Sequence, residues 1–309
     1  MLRKSDIIQD IIRLFSCRML ITHDALREVL TELYSIEKYG FLFNDIASYD
    51  DESAFKARKF SKGEINLTTD YTNPNIPASI AYHRIEGVIL AESNWRFSTK
   101  RFRQNVIDAD NNPMITAHFI SINSGGGEAW FLDAAADAVK QATKPVITHA
   151  EDVMASAALW LGMNADKIFA ATRNEIIGSV GVMVSFLDII PYFEALGAKY
   201  YEEYSSHSDL KNKKFNDLLD GKPEQYIKEE LDPLAEQFVA ALKSARKKVA
   251  KLGDDHPVFR GETFATPAGI EIGLIDGQML IEEAIDLTWQ LGEENSNRMQ
   301  IMQSILSGL

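Results

Sequence analysis

From residue 77 onward, short apolar runs alternate with stretches of helical period. IAYHRIEGVIL, ITAHFISIN and KPVITHA read as strands, and FLDAAADAVKQATK between the last two repeats its apolar positions at helical spacing. Strands separated by helices predict βαβ units and an α/β fold built on a mostly parallel sheet. A further unit follows: RNEIIGSVGVMVSF, the helix-like DIIPYFEALG and the strand-like AKYYEEYS. A long helix is expected from about 223 to 251, with Ile227, Leu231, Leu234, Phe238 and Leu242 on one face as a core or oligomer contact.

The ends of the chain have a different pattern. SDIIQDIIRLF and THDALREVLTELYSIEKYG carry two helical periods, the second marked by Leu26, Leu30 and Leu33 and stopped at Gly40. Between 41 and 76 the period breaks up, and NLTTDYTNPNIPAS has the proline and asparagine content of a linker. The expected division is therefore a helical arm and linker over 1–76, a main domain over 77–290, and an amphipathic tail over 291–309.

Composition narrows the class. Of 309 residues, 46% are hydrophobic, with no apolar stretch of membrane-spanning length, so a soluble protein without a membrane span is expected. The first residues carry acids and an amphipathic pattern where a secretion signal would be plainly apolar. A net charge of −13 disfavours a nucleic-acid surface. The single cysteine, Cys17, excludes an internal disulfide framework and fits a cytoplasmic setting.

The chemistry is expected at the carboxyl ends of two neighbouring strands. In SINSGGGEA, Gly125 to Gly127 follow a strand and precede a helix, where backbone amides can be presented to an anion or oxyanion. The loop lacks both GK[ST] and GxGxxG, which disfavours a nucleotide loop. One βα unit later, MASAALWLG places Ser156 at a helix start, where the Gly126 or Gly127 amide and the Ala157 N–H can flank its hydroxyl as oxyanion donors. A hydroxyl nucleophile needs a base. His83, His118 and His149 fall in strand-like runs and read as core or surface histidines. His207 lies in the loop SSHSDLKNKKFND with Lys211, Lys213 and Lys214, and any of these four is a candidate. HExxH, paired cysteines and a phosphate loop are all absent, so no metal or organic cofactor is implied.

The order SINSGGGEA, MASAALWLG, IIGSVGVM, a lysine loop and FRGETFATPAGIEIGLIDG resembles the signal peptide peptidase A (protease IV) family of serine peptidases, in the Clp-protease/crotonase superfamily. The resemblance spans roughly residues 78 to 290 and implies repeated ββα units. It implies Ser156 as nucleophile and Lys211 as general base. Gly126, Gly127 and Ala157 would form the oxyanion hole, with SGGG where the family commonly has SPGG. Ser179 in GSVGV would be an auxiliary that helps to hold the lysine, and Gly273 and Asp276 would be structural. It further implies a polypeptide substrate and a homo-oligomer in which Lys211 can act on a neighbouring subunit. The N-terminal arm in place of an anchor looks like the phage prohead-protease type, which trims scaffold or capsid proteins in host cytoplasm or procapsid. The alternatives are a bacterial cytoplasmic peptidase of the same family, a crotonase-type acyl-CoA enzyme, and a non-catalytic capsid scaffold.

Overall fold

In a computed structural model the described residues are 66–94, 96–186, 188 and 190–307, together with the backbone of one short strand at 18–21. The two predicted N-terminal helices and most of the linker lie outside them. The expected mostly parallel sheet is present. It comprises β2 (Leu67–Thr68), β3 (Ser79–Glu86), β4 (Ile115–Ser124), β6 (Val146–Ala155), β7 (Lys167–Ala170), β8 (Ile176–Gly178), β10 (Thr263–Ala265) and β11 (Gly277–Gln278). The parallel path is β2-β3-β4-β6-β8, with β10 added antiparallel to β8. β7 pairs with the first half of β6 and carries β11. A second sheet orders β5 (Gly126–Glu128), β1 (Arg18–Ile21) and β9 (Met183–Val184), with β1 in the middle.

Side chains alternate between the faces of the central strands, and the two faces receive different helices. Ile120 and Ile122 of β4 join a core completed by α1 (Thr99–Asn111), α2 (Leu132–Gln141), α3 (Ala157–Gly162) and α6 (Asp232–Ala245). Phe119, one residue out of phase, joins Ile80, Tyr82, Ile147 and Phe169 on the opposite face, under Ala284 and Ile285 of α8 (Ile281–Ser307). Phe119 and Phe238 are fully buried, and each such burial contributes about 2 to 3 kcal/mol of transfer free energy. The Phe238 ring also stacks on Trp160 of α3, with centroids 4.6 Å apart.

Local chemistry sets the element ends. Ser98 caps α1 by accepting from the Arg101 amide, and Gly273 ends α7 (Thr266–Ile272) at φ 87°. Asp276 then accepts from the Ile168 amide at 2.8 Å and pairs with Arg246 at 3.0 Å. Both residues have the structural part expected of them.

Two expected elements differ. The helix anticipated over 223–251 is α-helical at Glu224–Tyr226, widens to a π turn at Ile227–Leu231, resumes as α6 to Ala245, and closes with a 3-10 turn at Val249–Lys251. Pro233 has no amide to give the preceding turn, which accounts for the change of pitch there. Phe238 and Leu242 of the predicted face are buried, whereas Ile227 is exposed.

The strand expected at AKYYEEYS is not formed: 198–205 are exposed and irregular. The Glu202 carboxylate is instead taken up by the Tyr204 hydroxyl and by the Asn212 side chain, which tie the segment to its own loop rather than to a sheet edge. Short helices α4 (Ile190–Ala195) and α5 (Lys213–Leu219) flank this stretch. At the far end α8 runs unbroken through 290–291, where the tail was expected to begin.

Candidate active site

β4 and β6 share their last pair at Ser124 and Met154. Two residues further on are Gly126 on one strand and Ser156 on the other, so both stand just past the carboxyl edge of the sheet. The α3 helix that Ser156 opens packs against β5, so the glycine loop and the serine lie on neighbouring elements at that edge.

Ser156 is held there by its backbone. Its amide donates to the Gly178 carbonyl at 2.8 Å, and its carbonyl accepts from the Trp160 amide at 3.1 Å. Its φ of 57° and ψ of −122° form a sharp strand-to-helix corner that non-glycine residues seldom occupy, a strain of roughly 1 to 3 kcal/mol. Serine is an ordinary helix cap, but this hydroxyl makes no capping bond. The residue is only 1% exposed, and Ala155, Ala157 and Ala158 beside it are buried. Ala157 begins α3, so its amide belongs to a helical first turn, where N–H groups lack intrahelical acceptors.

The glycine loop sorts its amides between two sides. Gly126 N–H donates to Ser124 Oγ at 3.1 Å, and Ser124 Oγ donates to the Gly87 carbonyl at 2.6 Å. Ile89 takes the next places, its amide on the Gly126 carbonyl at 2.9 Å and its carbonyl on the Glu128 amide at 2.8 Å. Gly127 lies between them, and its own N–H and C=O turn away from Ile89, toward β1. Only glycine fits here, because a Cβ would sit 2.0 Å from the Ile89 carbonyl oxygen. The adjoining Glu128 is fully buried, its carboxylate accepting from the Ala91 amide at 2.5 Å.

Ser179 follows Gly178, the residue that anchors the Ser156 amide. It is half-buried at φ 56°, with its amide on the Glu262 carbonyl at 2.8 Å. Lys211 is exposed, with its backbone amide on the Ser208 carbonyl at 3.0 Å, and no hydrogen bond joins it to Ser156 within one chain. Its neighbours are engaged by acids. Lys213 pairs with Asp217, and Lys214 contacts Glu229 at 3.2 Å and Glu230 at 2.5 Å. The hydrogen bonds that its amine donates to Glu230 and Glu229 raise the Lys214 pKa. Lys211 makes no ion pair among the described residues.

The strand histidines are committed elsewhere. His83 Nε2 and His118 Nδ1 are 3.0 Å apart, and His118 Nε2 lies 3.3 Å from Asp110 Oδ1. Burial lowers the pKa of both rings; for His83 the His118 ring adds to the shift, whereas Asp110 opposes it for His118. His149 Nε2 is 2.9 Å from the Met279 carbonyl oxygen. Among the described residues no group of three or more histidine, cysteine or carboxylate side chains is placed to hold a metal, and no helix is long and apolar enough to cross a membrane.

Sequence reasoning missed β1. Its four residues lie between two helical patterns, and both its partners are distant in the chain. The strained corner at Ser156 has no sequence signature beyond the small residues around it.

A mostly parallel α/β sheet, with a serine corner and a glycine loop at its carboxyl edge, has the organisation of a hydrolase. The profile of peptidase family S49 matches residues 138–293, about half of the chain, and the chain belongs to that family of serine peptidases. No curated protein sequence matches it. Among solved structures, a mutant ClpP1 from Listeria monocytogenes is similar at 13% identity over 66% of this chain and 94% of that one, with a TM-score of 0.41. A mutant membrane-bound stomatin-specific protease, 1510-N, in complex with a substrate peptide is similar at 14% identity over 66% and 76%, TM-score 0.40. An enoyl-CoA hydratase/isomerase family member is similar at 11% identity over 70% and 72%, TM-score 0.37.

Proposed function

We propose that this chain is an endopeptidase that works through a Ser156–Lys211 dyad. The observation that carries it is the strained, buried corner at Ser156, which opens a helix packed against β5, the strand whose Gly127 amide faces β1: a costly backbone next to a strand that can supply an oxyanion donor. Lys211, as a neutral amine, takes the Ser156 proton, and the alkoxide attacks a peptide carbonyl. Gly127 N–H and Ala157 N–H stabilise the oxyanion, with Gly126 shaping the loop. The proton then passes to the leaving amine, and water releases the acyl-enzyme.

Two features of the lysine loop support Lys211 over its neighbours and a base supplied between subunits. Lys213 and Lys214 are neutralised by carboxylates, and the exposed Lys211 makes no ion pair among the described residues, as a group completing another copy's site would. Ser179, next to the carbonyl that fixes Ser156, is the candidate for holding that amine. We assign 77–290 as the peptidase unit, flanked by an arm and a tail. The biological setting we favour, on architectural resemblance, is maturation of scaffold or capsid proteins in a phage-infected cytoplasm.

A fluorophosphonate probe tests the nucleophile. Labelling of the wild type that disappears in Ser156→Ala, with the adduct mapped to 151–162 by mass spectrometry, is the expected result. Equal labelling of both proteins sinks the assignment.

A further inference from the structure

The sheet β5-β1-β9 has an unusual construction. β5 follows the glycine loop and β9 follows the Ser179 segment, while the strand between them comes from the N-terminal region, more than a hundred residues upstream of β5 by the numbering. β1 is antiparallel to both neighbours. Met19, Leu20 and Ile21 face Glu128, Gly127 and Gly126, and on the other side Arg18 and Met19 face Val184 and Met183. An extended peptide added beside a catalytic serine makes these pairings, because main-chain hydrogen bonds hold it whatever its side chains.

The register identifies one bond. Along β5 the Gly126 amide is used by Ser124 Oγ and the Glu128 amide by the Ile89 carbonyl, which leaves Gly127 to exchange its amide and carbonyl with β1. Its partner is Leu20. The Leu20 carbonyl therefore meets the amide assigned above to the oxyanion, with Ser156 on the adjoining edge. The strand direction puts Met19 and Arg18 back along β5 and Ile21 past the loop toward Gly126.

We propose that the enzyme's first substrate is its own N-terminal region, cut between Leu20 and Ile21, and that this cut frees the lane between β5 and β9 for other polypeptides. The inference presupposes the Ser156 nucleophile proposed above. Ser156 Oγ bonds to the Leu20 carbonyl carbon as its proton passes to the base. The bond from that carbon to the Ile21 nitrogen breaks as the nitrogen takes the proton. Water then adds to the Leu20 ester, its second hydrogen returning to Ser156 Oγ, and the products are residues 1–20 and 21–309.

The test is a time course of intact mass and N-terminal sequencing on the purified full chain. Wild type is expected to convert to a species beginning Ile-Thr-His-Asp-Ala, while Ser156→Ala stays whole. Leu20→Pro deletes the amide that Leu20 gives to the Gly127 carbonyl. It is expected to slow conversion about tenfold or more while Ser156 still takes the fluorophosphonate probe. Wild type that labels with the probe and digests added casein, yet keeps residues 1–20 or is cut at another bond, overturns self-cleavage here and leaves the nucleophile standing. Wild type that neither labels nor cuts casein overturns both.

Discussion

The Ser156 amide is bonded to the Gly178 carbonyl at 2.8 Å, so the residue at the end of β6 is pinned to the last residue of β8. Gly178 adopts φ 131°, and a Cβ there would stand 2.6 Å from the Glu262 carbonyl oxygen. Two unusual backbone conformations on adjacent parallel strands thus support each other, and together they fix the serine just past the carboxyl edge of the sheet.

The first consequence is a conflict between stability and activity at position 156. Replacing Ser156 with alanine removes the hydroxyl but keeps the strained φ of 57°, whereas glycine removes both. Both variants are expected to lose hydrolysis by about a thousandfold or more. Ser156→Gly should nevertheless unfold at higher urea than Ser156→Ala, by about 1 kcal/mol. Equal midpoints would mean that the corner stores no strain.

Gly127→Ala places a methyl carbon 2.0 Å from the Ile89 carbonyl oxygen, which is backbone and cannot swing aside. β5 must move, and the amide facing β1 moves with it. We expect a loss of stability of about 1 to 3 kcal/mol and a fall in kcat of about a hundredfold or more. Gly87→Ala is the control for a glycine with open space around it, although its φ of 67° still carries strain. Urea denaturation and peptide hydrolysis on both variants separate the effects. A Gly127→Ala enzyme with wild-type kcat would remove this amide from the oxyanion role.

How much of this was legible before the fold was seen depends on how local each feature is. The central strands show in the alternation of ITAHFISIN, because the residues facing each helix layer alternate along the strand itself. Convergence of the glycine loop and MASAALWLG follows from parallel strands alone, and it is observed. AKYYEEYS has strand-like residues, but a strand also needs a partner's backbone, and no described strand offers one. β1 is the opposite case: RMLI carries little pattern of its own, and its conformation comes from two edges far along the chain. Position 211 illustrates a third limit. Its place in the loop is visible, whereas the sequence does not say which group its exposed amine meets.

Acid should destabilise the fold through His83 and His118. Burial depresses both pKa values below the usual 6.5, so the folded state resists protons that the unfolded chain accepts. Their contribution is complete above pH 6.5 and declines as pH falls toward the folded-state values, by at most about 1.4 kcal/mol per pH unit for each ring. Asp110 acts later. Burial would raise its pKa, but hydrogen bonds from His118 and Thr143 outweigh this and bring it to about 2, so its contribution is lost only between pH 3.8 and about 2. His83→Phe is expected to lower stability at pH 7.5 by about 1 to 3 kcal/mol, because His118 Nδ1 loses its partner, and to flatten the decline from pH 7.5 to 5.5. A slope unchanged by the substitution would assign the acid sensitivity to other groups.

The lysine loop offers a sharper distinction. Lys213 and Lys214 are engaged by Asp217, Glu229 and Glu230, and removing either amine should leave kcat within a few-fold. Lys211→Ala should lower kcat by about a thousandfold or more if that amine is the base. Mixing decides where the amine acts. When Ser156→Ala and Lys211→Ala chains are unfolded together and reassembled in equal amounts, a site built within one chain always lacks one of its two groups. A site that takes its lysine from a neighbour recovers both wherever an intact serine chain meets an intact lysine chain, at about a quarter of the positions in a cyclic assembly. We expect about a quarter of wild-type activity in the mixture, against background for either variant alone. Inactivity of the mixture, with size-exclusion chromatography showing wild-type-sized assemblies, would confine the dyad to a single chain and require the 205–212 segment to fold back onto its own Ser156.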